Sequence, residues 1–277
     1  MKAKKILLWT GIILVIIVAT FAIVLYPSFH SFFKTETIQI DKDLTIVKGG
    51  GGNSGVLVTD SAIVVIDTKM GKSAETLFNL AKEKAGHKKI IVINTHYHGD
   101  HVNGNKFYTG STIYIGNYDT SFILKEMKPE DMPTNFVKDS LALNCGSETV
   151  LLYNLGQAHT YEDMVVYLYN RKLLFSGDLV FNKMNPVLKK NGGADVDKWI
   201  TALDIILNRW EIKTLVPGHG KPGGKELAEA LKQYFIDMKT AAVNPDRESE
   251  IKAKYSDWTT MPMMASPDKT IQFLRNK

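Results

Sequence analysis

One cysteine in 277 residues removes several possibilities at once. Cys145 has no second thiol for an internal disulfide, a CxxC pair or a lipid-attachment motif, so it reads as a small buried hydrophobe. Proline and glycine, at 9 and 21 residues, are too few for a collagen-like chain, and neither a low-complexity tract nor a short repeat is present. Unbalanced charge is scarce too. Of a formal net charge of +5, three units sit on Lys2, Lys4 and Lys5, ahead of any globular segment, and what remains is no nucleic-acid footprint. With 44% hydrophobic and 23% charged residues, the rest has the composition of an ordinary folded domain.

Residues 6–26 carry no charge. As a helix they would span about 31 Å, enough to cross a bilayer. The segment is expected to be an uncleaved anchor, with a cleaved signal peptide as the alternative; residues Ala19 to Ala22 supply no clear cleavage site. Lysines precede it and only Lys34 follows closely, which puts the amino terminus in the cytoplasm and the globular part on the extracytoplasmic side, or secreted if cleavage occurs. The expected organisation is a basic tail at 1–5, the membrane segment at 6–26, a linker at 27–37 and one domain at 38–277.

From Ile38 onward, short β-prone runs at 37–40, 44–49, 54–59 and 62–67 alternate with Asp, Gly and Asn turn signals, which predicts the start of an antiparallel sheet. Ala74, Leu77, Phe78 and Ala81 then recur at helical spacing, and Gly86 follows as a stop. Ile90 to Ile93 is a continuous β-branched run of the kind a strand buried on both faces shows. Further strands are expected at 112–115, 148–155, 163–169, 172–175 and 214–216, and helices near 117–127, 195–209 and 224–241. That alternation is the signature of a layered α/β fold.

The chemistry is concentrated at strand ends. His96, Tyr97, His98, Gly99, Asp100 and His101 follow the 90–93 run directly, a loop position from which several side chains can converge. His159, Asp178 and His219 each follow another apolar run. Alone, each would be a weak candidate, but four strand ends that deliver imidazoles and carboxylates together point to zinc, iron or manganese.

In order and context, these motifs resemble the metallo-β-lactamase-fold superfamily, from about Gly49 to Gly220. The resemblance implies an αββα sandwich of two mixed sheets flanked by helices, with a metal site at one edge. It implies His96, His98 and His159 as ligands of one ion, Asp100, His101 and His219 of a second, and Asp178 as the bridge. Two zinc ions would offer a hydroxide as the nucleophile, with Asp100 orienting it, for an ester, thioester, lactone or amide of small-molecule size. Asp67 is expected to support the ligands from behind, with Thr160 and Asp163 as further candidates. Lys183, Lys189 and Lys190 follow the bridge and are candidates for a substrate carboxylate or phosphate, with solvated surface lysines as the alternative; Tyr97 and Asn103 share the histidine loop.

The largest lactamase class places Cys where Asp178 stands, so the set is more similar to glyoxalase II and lactonases, without the glutathione-binding domain of the former. Flavin di-iron relatives differ at the position of His98. Residues 177–188 and 192–204 resemble exported or membrane-attached metallohydrolases of the same superfamily. Three other readings stay open: a persulfide dioxygenase with one iron, a β-lactamase, since some lactamases also lack that Cys, and a non-catalytic metal-binding module.

Overall fold

The computed structural model describes residues 9–11, 13, 15, 19, 34–261 and 264–276. Of the expected membrane segment at 6–26 only residues 9–11, 13, 15 and 19 are among these, all helical, and the rest of it and most of the linker at 27–37 lie outside them. Among the described residues no helix is long and apolar enough to cross a membrane.

Seven strands form the first sheet in chain order: β1 (Glu36–Gln39), β2 (Leu44–Lys48), β3 (Ser54–Val58), β4 (Ala62–Ile66), β5 (Lys89–Ile93), β6 (Thr112–Gly116) and β7 (Asn135–Val137). Neighbours from β1 to β4 are antiparallel, as the short turn-punctuated runs predict. From β4 to β7 they are parallel, and helix α1 (Gly71–Ala85) makes the first of the crossovers that parallel pairing requires. The second sheet has the order β12-β11-β10-β9-β8. Its strands β8 (Ser140–Asn144), β9 (Thr149–Asn154), β10 (Met164–Leu168) and β11 (Leu173–Phe175) are antiparallel, and β12 (Thr214–Val216) lies parallel to β11. Both sheets are therefore mixed.

The period-two geometry of a strand divides each apolar run between two interiors. In β4, Val64 and Ile66 face the space between the sheets while Ile63 and Val65 turn outward to Leu77 and Ala81 of α1. In β5, Ile91 and Ile93 point inward and Val92 outward, so the unbroken β-branched run belongs to a strand covered on both faces. The second sheet repeats the arrangement. Val166 and Leu168 meet the first sheet, while Val165 and Tyr167 meet an outer layer built largely by two long helices, 196–209 and 226–243. The result is helix, sheet, sheet, helix, the layering expected from sequence.

Two short helices follow α1: α2 (Gly99–Val102) and α3 (Thr120–Glu126). Helix α4 (Val196–Arg209) starts where the Asp195 carboxylate accepts the backbone N–H groups of Asp197 and Lys198. Then come α5 (Glu226–Val243), α6 (Glu248–Ala253) and α7 (Pro267–Arg275). Sequence reading misses β7, β8, α6 and α7, and places the short α2 in a loop. Strand β8 lies at a sheet edge and alternates only between exposed and half-buried positions, which weakens its hydrophobic signal. Helix α7 does carry a start signal: Ser266 caps it by accepting the Lys269 N–H, with Pro267 in the first turn.

Trp199 of α4 ties the outer layer to the strand ends. Its indole is fully buried, lies 5.0 Å from the His159 ring and 4.9 Å from Phe235, and donates Nε1–H to the Leu179 carbonyl at 2.9 Å. Trp199→Ala is expected to cost about 3–5 kcal/mol in chemical denaturation. Trp199→Phe keeps most of the packing but leaves the carbonyl unpartnered, so a smaller loss of about 1–3 kcal/mol is expected. Equal losses for the two variants would show that the hydrogen bond contributes nothing.

Candidate metal centre

Four chain segments bring the seven candidate ligands to one edge of the sandwich. His96 and His98 lie in the loop after β5, and Asp100 and His101 in the first turn of α2. His159 lies between β9 and β10, Asp178 in a tight turn after β11, and His219 just after β12. Each loop is short and anchored to a strand, so the ligand positions inherit the rigidity of the sheets.

The donors form two sets. In the first, His98 Nδ1 lies 3.0 Å from both His96 Nε2 and His159 Nε2, and Asp178 Oδ2 lies 3.4 Å from His159 Nε2 and 3.8 Å from His96 Nε2. In the second, Asp178 Oδ1 lies 3.1 Å from His101 Nε2 and 3.4 Å from His219 Nε2, while Asp100 Oδ2 lies 3.6 and 3.3 Å from the same two nitrogens. Asp178 thus turns one oxygen to each set. Four donors at about 2.0–2.1 Å from a tetrahedral ion would stand roughly 3.3 Å apart, so these separations fit an ion in each set. The orphaned atoms agree: His101 Nε2 and Asp178 Oδ1 are buried without a hydrogen bond among the described residues.

Supporting residues fix which ring nitrogen faces inward. The Asp67 carboxylate accepts the Thr95 backbone N–H and hydroxyl, both at 2.8 Å, and its Oδ2 lies 2.8 Å from His101 Nδ1. With the Nδ1 proton held there, His101 offers Nε2 as a lone pair. The Thr95 hydroxyl donates its proton to Asp67, so its oxygen can accept from His96 Nδ1 at 3.2 Å and leave His96 Nε2 free to ligate. Asp163 accepts the Thr160 N–H at 2.7 Å and its hydroxyl at 2.9 Å, which pins the turn that carries His159. Asp67, Thr160 and Asp163 are thus all placed directly behind the candidate ligands. Sequence reading misses Thr95, although its place directly before His96 is a usable signal.

Two glycine-dependent approaches complete the packing. A side chain at Gly218 would put its Cβ 2.0 Å from Asp178 Oδ1, so this position of the Asp178 carboxylate requires a glycine beside it. A Cβ at Gly52 would fall 2.2 Å from His101 Cε1.

The two sets differ in protonation. Burial, reinforced by neighbouring imidazoles, pulls His96 well below the usual imidazole range and His159 down to about 3. Burial also outweighs the nearby carboxylates at His98, which falls to about 4. At His219 burial pulls the other way from Asp178 and Asp100, and the carboxylates win, raising it to about 9; His101 is raised for the same reason. Asp100 and Asp178 resist burial because His101 and His219 hold both carboxyls below their usual range.

A cavity of about 320 Å³ opens over the ligands. Met70, Phe181, Val187 and Met261 supply apolar walls, and Lys189 brings a cation. Of the expected substrate residues, Tyr97 lines an adjoining cavity with His98 and Lys189. Lys183 does not line either cavity: its exposed ammonium pairs with Asp257 at 2.7 Å, and its backbone is left-handed at φ 51. Asn103 closes the end of α2 by donating its backbone N–H to the Gly99 carbonyl and does not line either cavity. Cys145 is buried at the foot of the second sheet, where burial pushes its thiol up.

Comparison with known proteins agrees with this geometry. Residues 47–219 match the family model described as the metallo-beta-lactamase superfamily. The chain is 26% identical over 195 residues to a protein named metallo-beta-lactamase type 2 from Bacteroides fragilis, covering 69% of this chain and 78% of that one. To the protein of the same name from Bacillus cereus it is 27% identical over 213 residues, covering 72% and 83%. Among solved structures, a metallo-beta-lactamase from Pontibacter korlensis superposes with a TM-score of 0.66 at 22% identity, covering 73% of this chain and 99% of that one.

The protonation pattern predicts how uptake depends on pH. Imidazole must be neutral to ligate. His98 and His159, at about 4 and about 3, are already neutral above pH 6, so binding to the first set should be flat from there upward. His219 keeps its proton up to about 9, so binding to the second set should strengthen by up to about tenfold per pH unit for each proton displaced. Zinc titration against a competing chelator at pH 6.5, 7.5 and 8.5 measures both slopes, and equal slopes would contradict the assignment.

Proposed function

The chain belongs to the metallo-β-lactamase superfamily, and from that membership we propose that it is a two-zinc hydrolase of an ester, thioester, lactone or amide. The observation that carries this reading is the split Asp178 carboxylate, with Oδ2 toward one set of three imidazoles and Oδ1 toward a set of two imidazoles and a carboxylate. His96, His98 and His159 would hold one ion and Asp100, His101 and His219 the other. Held by these residues, zinc would supply a water of pKa about 7, and so a hydroxide at neutral pH, and a Lewis acid for a scissile carbonyl.

The remaining work falls to the chain itself. Asp100 borders the cavity and is held ionised, so it can accept a hydrogen bond from the attacking water and orient it. Met70, Phe181, Val187 and Met261 exclude bulk water, which strengthens every charge interaction at the reacting carbonyl. Those walls suit an apolar substituent, and the Lys189 ammonium suits an anionic group on the same substrate. No thiol or hydroxyl nucleophile is needed.

β-Lactams are the second reading, favoured by the names of the relatives. The presence of Asp178 where the largest lactamase class carries cysteine speaks against it. For the one-iron dioxygenase, a second complete donor set sharing Asp178 would be superfluous. The proposal places the catalytic domain outside the cytoplasm, held by residues 6–26.

Elemental analysis of protein never exposed to chelator is expected to find two zincs per chain, and one iron would overturn the reading. Asp178→Ala should leave one ion or none and lower kcat/KM by on the order of 10³-fold on the best substrate of an ester, thioester, lactone and β-lactam panel. Full activity with one ion bound would refute the shared bridge. Within the panel, substrates that pair an apolar group with a carboxylate should be preferred, and Lys189→Ala should raise KM for those more than for neutral analogues.

A further inference from the structure

Behind the second donor set lies a buried ammonium to which the hydrolytic reading gives no task. Lys69 follows β4 with φ 62 and is fully buried. Its Nζ donates to the Gly49 carbonyl at 2.7 Å and the Gly52 carbonyl at 2.6 Å. Among the described residues no ion pair joins it to a carboxylate, and a buried ammonium is costly unless its partners offset the desolvation. Chain geometry that keeps such a group in place calls for a reason.

The segment it grips, residues 49–53, lies against Asp100, His101 and the residues on either side of His219. The Gly52 N–H donates to the Asp100 carbonyl at 3.2 Å. Gly51 and Gly52 lie so close to Asp100 and His101 that added Cβ atoms would fall 3.0 Å from Asp100 Cβ and 2.2 Å from His101 Cε1. Asn53 reaches the His219 loop, donating its N–H to the Gly218 carbonyl at 2.7 Å and Nδ2 to the carbonyls of Pro217 and Gly220, both at 2.8 Å. On the opposite side, Thr68, the neighbour of Lys69, donates its N–H and hydroxyl to the His101 carbonyl at 2.7 and 3.1 Å. None of the strap's hydrogen bonds goes to His96, His98 or His159.

We propose that Lys69 is a positioning residue for the second ion: by holding the carbonyls of Gly49 and Gly52 it fastens the 49–53 strap across Asp100, His101 and the His219 loop and so keeps their donor atoms at ligating distance. The assignment rests on the two-ion reading of the site. It accounts for a glycine run as a surface moulded to two ligands, and for a buried cation as the pin that keeps that surface in place.

The test is zinc titration of the full chain against a competing chelator, with thermal melting as a check on folding. Wild type is expected to bind two ions. Lys69→Met, which keeps the volume but neither charge nor donors, should weaken the second ion by 10- to 100-fold and leave the first unchanged. Equal weakening of both ions, or of neither, overturns the proposal, since a merely structural role would not select between the sets. If Lys69→Met fails to fold, Lys69→Gln, whose uncharged amide keeps the site polar but is one bond too short to hold both carbonyls as Nζ does, carries the same test with the same criteria. A wild-type chain that binds a single ion defeats the two-ion reading itself, whereas two ions bound equally well by wild type and variant defeat only the role of Lys69.

Discussion

Everything at the working edge of this molecule depends on one carboxylate serving two groups of imidazoles. Asp178 has no hydrogen-bond donor on Oδ1 among the described residues, yet two imidazole nitrogens lie within 3.4 Å of that oxygen. In water such crowding would dissipate by hydration; here the side chains are buried and cannot move apart. Burial and charge therefore sort the histidines. Those grouped with one another lose their protons, while those grouped with carboxylates keep them. The same desolvation that makes the arrangement unfavourable without cations makes it strongly attractive to them.

The sandwich makes that crowding tolerable. Parallel pairing of β4 with β5 and of β11 with β12 points several strand ends the same way, so His96, His98, Asp178 and His219 leave their sheets at a common edge. Inward residues such as Ile93 and Phe175 weld the sheets together beneath them. Outside, Trp199 abuts His159 and stiffens the loop that carries it. Stability is thus concentrated in the layers, and the strained left-handed backbone at Asp67 and Lys69 is tolerated where the ligands need it.

Much of this was legible in the sequence, for identifiable reasons. The ligands were readable because imidazoles and carboxylates crowded directly after an apolar β-branched run rarely serve packing or solubility alone, and the 90–93 run announced a doubly covered strand by its lack of polar alternation. Asp67 was readable only through the family resemblance. Lys69 was not, because a lysine after a strand looks like any surface lysine until the fold shows that no solvent reaches it. Lys183 shows the converse: nearness to Asp178 in sequence does not set the direction of a side chain, and the exposed ammonium pairs with Asp257 instead. The cavity walls were invisible because Met70, Phe181, Val187 and Met261 come from distant segments and carry no pattern in common.

That last dispersal has an evolutionary side. Apart from the candidate ligands and Gly99, the cavity is lined by Met70, Phe181, Val187, Lys189, Met261 and Met264, none of them a metal-type ligand, while the ligands come from loops clamped to the sheets. Selection can therefore exchange methionines, lysines or whole turns above the donors without touching the donors themselves. A lineage built on this plan can change its diet while keeping its teeth, and the identity of the substrate is the property of the chain freest to drift.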